Sequence, residues 1–365
     1  MTLSTPITFS QAGAELFIPD GASFPEAIQR TTHLGIGAHQ DDLEFMALHG
    51  IGTCYHSTDK WFGGITCTDG AGSSRSGPFA TYSDEQMKAV RVKEQRAAAA
   101  LGQYAYMAQL AHPSTHAKAA ESRRLLVDDL QALITRSGAG IVYTHHLFDK
   151  HPTHVGVCLA VIEAIRRLPP DERPAKVYGC EVWRSLDWLP DDLKVVHDVS
   201  GHEALSGALS AIFQSQILGG KRYDQAVEGR RLANATFLDP HAVDTAARVD
   251  YAIDLTSLTD PNGPEPIAFA QAVLNRFTGH IEAGISQLVN RPMGNVPIGI
   301  GSRYRDRVSD RAKRKSRLSE TLINPAEDVS DPDTDPDPDT DRDPDSDTDR
   351  DADDGSYIQG GIIRD

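Results

Sequence analysis

The sequence contains few cysteines, and it lacks a paired cysteine motif, a long apolar run and the N-terminal pattern from which we would predict a signal peptide. Four cysteines occur in 365 residues, and no two of them form a Cys-x-x-Cys pair. This scarcity argues against a zinc ribbon or a disulfide scaffold, and it indicates reduced thiols. No stretch approaches the roughly 18 apolar residues of a membrane span, and the N-terminus lacks a basic start and an apolar core. We therefore expect a cytoplasmic protein with no membrane span.

The acidic charge is concentrated in one segment near the C-terminus. The net charge is −16, but residues 327–354 contain 15 acidic residues and two arginines, so the remainder carries only about −3. The repeated Asp-Pro-Asp-Thr pattern of this segment offers almost no apolar surface to bury, so it cannot offset the chain entropy lost on folding. We therefore predict a disordered, acidic, Asp/Pro-rich tail over residues 327–365.

A basic segment precedes the acidic tail. Residues 303–317 contain eight basic and two acidic residues. Such a block is compatible with a nucleic-acid or membrane contact, but a solvated helix or tail that is screened by the neighbouring acids explains it as well. We expect no nucleic-acid partner. We predict a folded domain over residues 1–300 and a basic linker over residues 301–326.

Apolar strand-like runs alternate with longer helical patterns within residues 1–300. This alternation predicts an α/β fold of the Rossmann-like type, with a mostly parallel sheet flanked by helices. Ligands of such sheets bind beyond the carboxyl ends of the strands, so the loops that follow strands are the places to search for a site. The predicted strands are 33–38, 61–68, 104–110, 140–144, 176–182 and 194–198, and the predicted helices are 84–101, 116–137, 152–167, 202–216, 223–237 and 266–289.

The segment AHQDDLE, residues 38–44, directly follows the first of these strands. His39 and Asp42 lie three residues apart across a turn, so both side chains can face one point, and Asp41 lies at its margin. A histidine and a carboxylate suit zinc, and a second carboxylate suits a base that acts on metal-bound water. An equally simple interpretation is a helix start that is capped by one of the two aspartates.

Four histidines lie within residues 145–154, after another predicted strand. Pro152 suits the first position of a helix, which places His151 and His154 near a helix N-terminus at the mouth of the sheet. A single histidine is as readily a surface residue, but a cluster at the end of a strand favours a metal site. The histidines of this second loop can supply the third ligand that His39 and Asp42 lack. A catalytic zinc takes three protein ligands and leaves one position for water.

Two further segments supply candidate substrate-binding residues. The small-residue loop at 66–75 carries Arg75, which can clamp a hydroxyl or an anion, although a plain turn with an exposed arginine explains it nearly as well. In residues 179–192, Trp183 and Trp188 can each stack on a sugar face, and we place Trp183 in the core and Trp188 at the rim of the pocket. We predict Arg75, Asp69 and Trp188 as substrate-binding residues.

The order of these motifs resembles that of the PIG-L/LmbE-like zinc-dependent N-deacetylases. The family motif A-H-P-D-D-x-E corresponds to AHQDDLE, the TDG loop to residues 68–70, the R-x-x-E helix to residues 91–94, and H-x-D-H to HPTH at residues 151–154. Order and spacing agree over about residues 31–200. Gln40 stands where the family has proline, and Thr153 stands where it has an aspartate that supports the neighbouring histidine. Asp149 is a candidate replacement for that aspartate.

The resemblance implies a role for each residue of the two motifs. His39, Asp42 and His154 would ligate one Zn²⁺ per chain, with Fe²⁺ as the alternative metal. Asp41 would be the general base, and His151 would stabilise the oxyanion. The implied substrates are N-acetylglucosamine-type or related small glycoconjugates, and the products are acetate and a free amine.

Other functions are compatible with parts of the sequence. One is a mononuclear zinc hydrolase that acts on another amide conjugate or on a phosphoester, although two-metal phosphoesterases need more bridging carboxylates. Another is a non-enzymatic interaction protein that uses its charged C-terminal segments. A dinucleotide site at residues 299–301 lacks the required strand, turn and helix. We expect a small-molecule N-acetylated substrate as the partner, and a homo-oligomer stays open.

Overall fold

An eight-stranded sheet organises residues 7–289, which are the residues that the computed structural model describes. Its strand order is β1-β4-β3-β2-β5-β6-β8-β7, and the five strands from β4 to β6 are parallel. β1 and β8 run antiparallel to their neighbours. The predicted α/β class and mostly parallel sheet are therefore confirmed. The strands are Glu15–Phe17, His33–Gly37, Phe62–Thr68, Tyr106–His112, Ile141–His145, Lys176–Cys180, Lys194–Asp198 and Val249–Asp254, numbered β1 to β8.

The central strands are covered on both faces. Every residue of β2 and β3 is buried, and these strands read as continuous apolar runs rather than alternating ones, as is typical of a parallel sheet between helices. Gly35 of β2 allows this close packing, because a Cβ atom there would lie 2.6 Å from the ring of Phe62. The two faces of the sheet therefore hold two separate apolar cores.

The helices pack on these two faces. α6 and α7 contribute Leu130 and Val161 to one core, whereas α3 and α8 contribute Ile51 and Leu209 to the other. Pro152 is the first residue of α7, as predicted. The helices are Phe24–Gln29, Asp42–Met46, Leu48–Cys54, Asp84–Leu101, Ser114–Lys118, Ala120–Ser137, Pro152–Arg166, Glu203–Ile212, Gln214–Ile217, Tyr223–Thr236 and Pro266–Val289, numbered α1 to α11.

Several expectations from the sequence concern features beyond the sheet. All four cysteines are buried and free, in line with the expected reduced thiols. None of the helices found in residues 7–289 combines the length and the apolar composition that crossing a bilayer requires. The predicted basic linker at 301–326 and acidic tail at 327–365 lie outside the described residues.

Candidate active site

A pocket of about 850 Å³ opens at the carboxyl ends of the parallel strands, where the fold predicts a ligand site. His39 follows β2, Asp69 follows β3, and His151 follows β5, so three loops that are distant in sequence meet at one edge of the sheet. The segment that follows β6 adds Trp183 to the wall. The pocket is therefore lined by His39, Asp41 and Asp42 of the first motif and by His151 of the second, while His154 is buried.

His39, Asp42 and His154 form a compact triangle. His154 Nε2 lies 3.2 Å from His39 Nδ1 and 3.5 Å from Asp42 Oδ1, and His39 Nδ1 lies 3.3 Å from Asp42 Oδ2. A tetrahedral zinc site with bonds of about 2.0–2.1 Å sets its ligand atoms about 3.3 Å apart. These side chains therefore fit a divalent metal in both donor type and spacing. The donor set suits Zn²⁺ or Fe²⁺.

His145 offers a second grouping with Asp42 and His154, but its hydrogen bonds disfavour it as a ligand. Its Nε2 lies 3.2 Å from Asp42 Oδ2 and accepts the backbone N–H of Ala38 at 2.9 Å. A backbone N–H can only donate, so the Nε2 lone pair is already used. The neighbouring His146 also points away from the cluster, since its Nε2 bonds the carbonyl of Arg184 at 3.1 Å.

Asp149 lies behind His154. Its Oδ2 is 3.3 Å from His154 Nδ1 and accepts the backbone N–H of Trp183 at 3.2 Å, while its Oδ1 accepts the backbone N–H of His151 at 2.9 Å. Burial alone would raise the pKa of Asp149, but the hydrogen bond and charge interaction with His154 and the backbone N–H of His151 together outweigh it, and the pKa lies below the usual range. The sequence suggested Asp149 as a partner for His151, whereas its side chain contacts the ring of His154.

Asp41 is buried beside this triangle. Its Oδ2 accepts Arg91 Nη2 at 3.1 Å, and its backbone N–H donates to Gln95 Oε1 at 3.0 Å. Burial raises the pKa of Asp41 to about 7, although Arg91 opposes the shift. Its φ of 90° is left-handed, and its side chain makes no capping hydrogen bond to α2. Asp41 is therefore not a helix cap, and such backbone strain is typical of functional positions.

His151 completes the cluster. Its ring packs edge-on against His39 with centroids 4.9 Å apart, and it lies 6.1 Å from the ring of Trp183. One ligand atom each from His39, His151 and His154 lies within 4.8 Å of the others. Burial lowers the pKa of His151. The structure thus brings together all five residues that the sequence assigned to metal binding and catalysis.

The three predicted substrate-binding residues occupy different places. Asp69 lines the pocket, and its Oδ2 lies 3.1 Å from Lys88 Nζ. Arg75 is not among the described residues that line the pocket, and its guanidinium pairs with Asp84. The two tryptophans are reversed relative to the prediction. Trp183 lines the pocket, whereas Trp188 packs against the apolar core and donates its indole N–H to a backbone carbonyl at 3.0 Å.

Arg91 and Gln40 support the site in ways that the sequence did not reveal. Arg91 is fully buried in α4, and besides Asp41 its guanidinium contacts the backbone carbonyl of Gln40. The Gln40 side-chain amide donates to the carbonyl of Thr68 at 3.2 Å and to Gln109 Oε1 at 3.3 Å. Gln40 therefore ties the loop after β2 to β3 and β4. The Arg-x-x-Glu spacing in α4 was the available signal for Arg91.

The fold and the site together define an α/β protein with a histidine–carboxylate cluster suited to a divalent metal. Comparison with known families agrees with this class. The PIG-L family model, described as GlcNAc-PI de-N-acetylase, matches residues 34–165. This part of the chain is a PIG-L family domain, which confirms the family predicted from the motifs. All five clustered residues lie inside the match. None of the curated proteins searched matches the chain significantly.

Several solved structures resemble this chain in part. The conserved protein TT1542 from Thermus thermophilus gives a TM-score of 0.48 at 17% identity, covering 61% of this chain and 94% of its own. The 4-carboxy-2-hydroxymuconate hydratase GalB from Pseudomonas putida gives 0.48 at 16%, covering 62% and 96%. The N,N'-diacetylchitobiose deacetylase from Pyrococcus horikoshii gives 0.48 at 14%, covering 61% and 82%. At these scores the likenesses assign neither a substrate nor an activity.

Proposed function

We propose that the protein is a metal-dependent N-deacetylase. It removes the acetyl group from an N-acetylglucosamine-type or related small glycoconjugate and releases acetate and a free amine. The observation that carries the proposal is the triangle of His39, Asp42 and His154, with Asp41 buried at its edge and the pocket open above it. The match to a family described as a de-N-acetylase supports the same reaction.

In this proposal, His39, Asp42 and His154 hold one metal ion. A bound Zn²⁺ or Fe²⁺ supplies Lewis acidity and lowers the pKa of water toward neutrality. Asp149 fixes the ring of His154 by the contact at Nδ1, which leaves the Nε2 atom facing the triangle. The ligand residues therefore come with a supporting partner already in place.

Asp41 serves as the general base. Arg91 occupies its Oδ2 atom, whereas Oδ1 accepts no hydrogen bond from residues 7–289 and is left to take a proton. As water adds to the amide carbonyl, Asp41 accepts a proton from that water. The carboxyl then returns the proton to the nitrogen as the C–N bond breaks. Proton transfer by one positioned side chain thus serves both halves of the hydrolysis.

His151 and the aromatic wall complete the assignment. The imidazole of His151, beside His39, stabilises the negative charge that develops on the carbonyl oxygen. Phe45, Trp183 and Tyr223 line the pocket, and Phe45 and Trp183 each pack edge-on against Tyr223, so the three rings offer apolar surface to a sugar ring. These walls support a glycoconjugate as the acylated substrate.

The proposal is tested by counting metal and measuring turnover on the same preparation. We expect about one metal ion per chain, and release of acetate from N-acetylglucosamine, its methyl glycoside or N,N'-diacetylchitobiose. Asp41→Asn should keep the metal and lower kcat by about 10²–10⁴-fold, because the proton acceptor is lost. Asp59→Asn changes an exposed aspartate and should leave both quantities unchanged. An Asp41→Asn protein with its metal and its full rate would refute the assignment.

A further inference from the structure

A second pocket adjoins the candidate active site, and we call it the basic pocket. It has a volume of about 560 Å³ and shares Lys150, Trp183 and Arg230 with the first pocket. Arg184 and Lys194 line the basic pocket and do not line the first one. The two pockets therefore share part of their walls, and a single extended ligand can reach from one into the other.

The charge of the basic pocket is opposite to that of the surrounding protein. Lysine and arginine supply four of its lining residues, whereas Asp187 is its single carboxylate among the described residues. Residues 7–289 as a whole contain 24 lysine and arginine residues against 33 aspartate and glutamate residues. The balance of charge in the basic pocket is therefore the reverse of that in residues 7–289 as a whole.

Internal ion pairs leave much of this positive charge available. Lys194 Nζ pairs with Asp191 at 2.9 Å. Lys150, Arg184 and Arg230, by contrast, form no ion pair with any carboxylate in the part of the chain that the structure describes. Asp187 itself is bonded by the hydroxyl of a neighbouring serine. Arg230 Nη1 also donates a hydrogen bond to the backbone carbonyl of Val182. Lys150, Arg184 and the remaining N–H groups of Arg230 are therefore available to contact an anion.

Trp183 connects the basic pocket to the candidate catalytic residues. The ammonium groups of Lys221 and Lys150 lie 5.3 and 5.8 Å from the centroid of its ring, within the range of cation–π contacts. The centroid of the same ring lies 6.1 Å from that of His151. Lys150 and Lys221 therefore place positive charge close to the residues assigned to hydrolysis, and the other cations of the basic pocket adjoin them.

We propose that the basic pocket binds an anionic group of the substrate, a carboxylate or a phosphate, which lies in the same molecule as the acylated nitrogen. This inference rests on the proposed function and narrows its substrate to acidic glycoconjugates. Lysine and arginine bind oxyanions through charge-assisted hydrogen bonds, and the planar guanidinium of Arg184 can do so with two parallel bonds. Neutral N-acetylated sugars leave these cations without a partner.

The test measures binding by calorimetry to the full-length metal-loaded protein, with Asp41→Asn added to prevent turnover. The probes are N-acetylglucosamine bearing an anomeric phosphate, N-acetylglucosaminyl-glucuronic acid, and neutral N,N'-diacetylchitobiose. We expect the tighter acidic probe to bind at least about tenfold more strongly than the neutral one, and Arg184→Gln to remove about tenfold of that affinity. The acidic probe that binds more tightly shows whether the basic pocket prefers a phosphate or a carboxylate.

Matched variants separate this site from general electrostatics. Arg124→Gln makes the same charge change at a side chain that is 82% exposed and lines neither pocket, so it should leave all three affinities unchanged. Arg230→Gln provides a second variant inside the basic pocket, and it should weaken only the acidic probes. Equal affinity for acidic and neutral probes, or an equal effect of Arg184→Gln and Arg124→Gln, would overturn the proposal.

The inference and the proposed function fail in different ways. Acetate release without a preference for acidic compounds would retain the deacetylase and refute the anion subsite. Arg184-dependent binding of an acidic probe without any acetate release would retain the subsite and refute the deacetylase. Acetate release from the unsubstituted chain on the acidic and neutral compounds therefore completes the experiment.

Discussion

At the scale of single residues, the contacts behind the candidate metal ligands are as specific as the ligands. Asp149 contacts the far nitrogen of His154 and also accepts two backbone N–H groups, from His151 and Trp183. One carboxylate thus fixes a ligand ring, the start of α7 and the pocket wall. Such supporting groups set the orientation and basicity of a ligating histidine.

Asp149→Asn should therefore weaken metal binding and leave the fold intact. The asparagine keeps one carbonyl oxygen, which can accept the backbone N–H of His151, but its NH2 group replaces the oxygen that faces His154 and removes the negative charge there. We expect the affinity for Zn²⁺ to fall about 10–100-fold, measured by competition with a chromophoric chelator. Asp187→Asn is the matched control at an exposed aspartate. An unchanged affinity in Asp149→Asn would show that His154 is oriented by packing alone.

The residues of the two motifs could be placed from sequence because of where their strands lie. β2 and β5 are adjacent parallel strands, so the loops that carry His39 and His151 necessarily meet at one edge. Arg75 and Trp188 could not be placed in the same way. Their positions depend on partners from other elements, Asp84 for the arginine and Phe277 for the tryptophan ring. No short sequence pattern encodes such pairings.

At the scale of elements, α4 is the helix that presents Arg91 and Gln95 to Asp41. Ser83 begins it with a complete capping box, in which its hydroxyl accepts the N–H of Gln86 at 3.2 Å and the Gln86 side chain accepts the N–H of Ser83 at 2.8 Å. The cap satisfies two N–H groups that the first turn would otherwise leave unpaired. It therefore stabilises the helix that supports the candidate base.

Ser83→Ala should destabilise the protein by about 1 kcal/mol, the usual effect of losing such a cap. The measurement is the midpoint of urea unfolding, with an unchanged denaturant dependence. Ser286→Ala changes an exposed serine inside α11 and should shift the midpoint very little. If both variants unfold at the same denaturant concentration, the capping box contributes nothing to stability.

The elements that the sequence predicted are those whose pattern is local. All six predicted strands are present, and α4 has the predicted bounds. β8 was missed because its buried Asp250 interrupts the apolar run, and the ion pair of Asp250 is with Arg231 of α10 at 2.8 Å. The predicted helix at 116–137 is in fact two helices, α5 and α6, which meet at the extended backbone of Ala119. The predicted helix at 202–216 is likewise two helices, α8 and α9. The contacts between elements that decide such features are not contained in a local pattern.

At the scale of the whole molecule, acid stability depends on buried histidines outside the candidate site. His197 of β7 stacks on His49 with ring centroids 4.3 Å apart. Tyr143 and Tyr178 each pack edge-on against His197, and their own rings are tilted relative to each other. Of the described residues, none gives His197 Nδ1 a hydrogen-bond partner. A proton on this ring would be held in an aromatic cluster without an acceptor, so protonation opposes folding.

His197→Phe should make the protein less sensitive to acid. Burial, with a smaller contribution from His49, lowers the pKa of His197 from 6.5 to about 3. Between these values the unfolded chain binds a proton that the folded protein excludes, so stability is full above pH 6.5 and is lost as the pH falls. Phenylalanine keeps an aromatic ring at this position but cannot take up a proton, so it removes this loss of stability in acid. Relative to the unsubstituted protein, the free energy of unfolding of the variant should therefore rise by about 1.4 kcal/mol for each pH unit below 6.5.

Urea unfolding at about pH 7.5 and about pH 5 measures this difference in the free energy of unfolding, with His241→Gln as the exposed control. A stability difference that is the same at both pH values would mean that His197 takes up its proton as readily in the folded protein as in the unfolded chain.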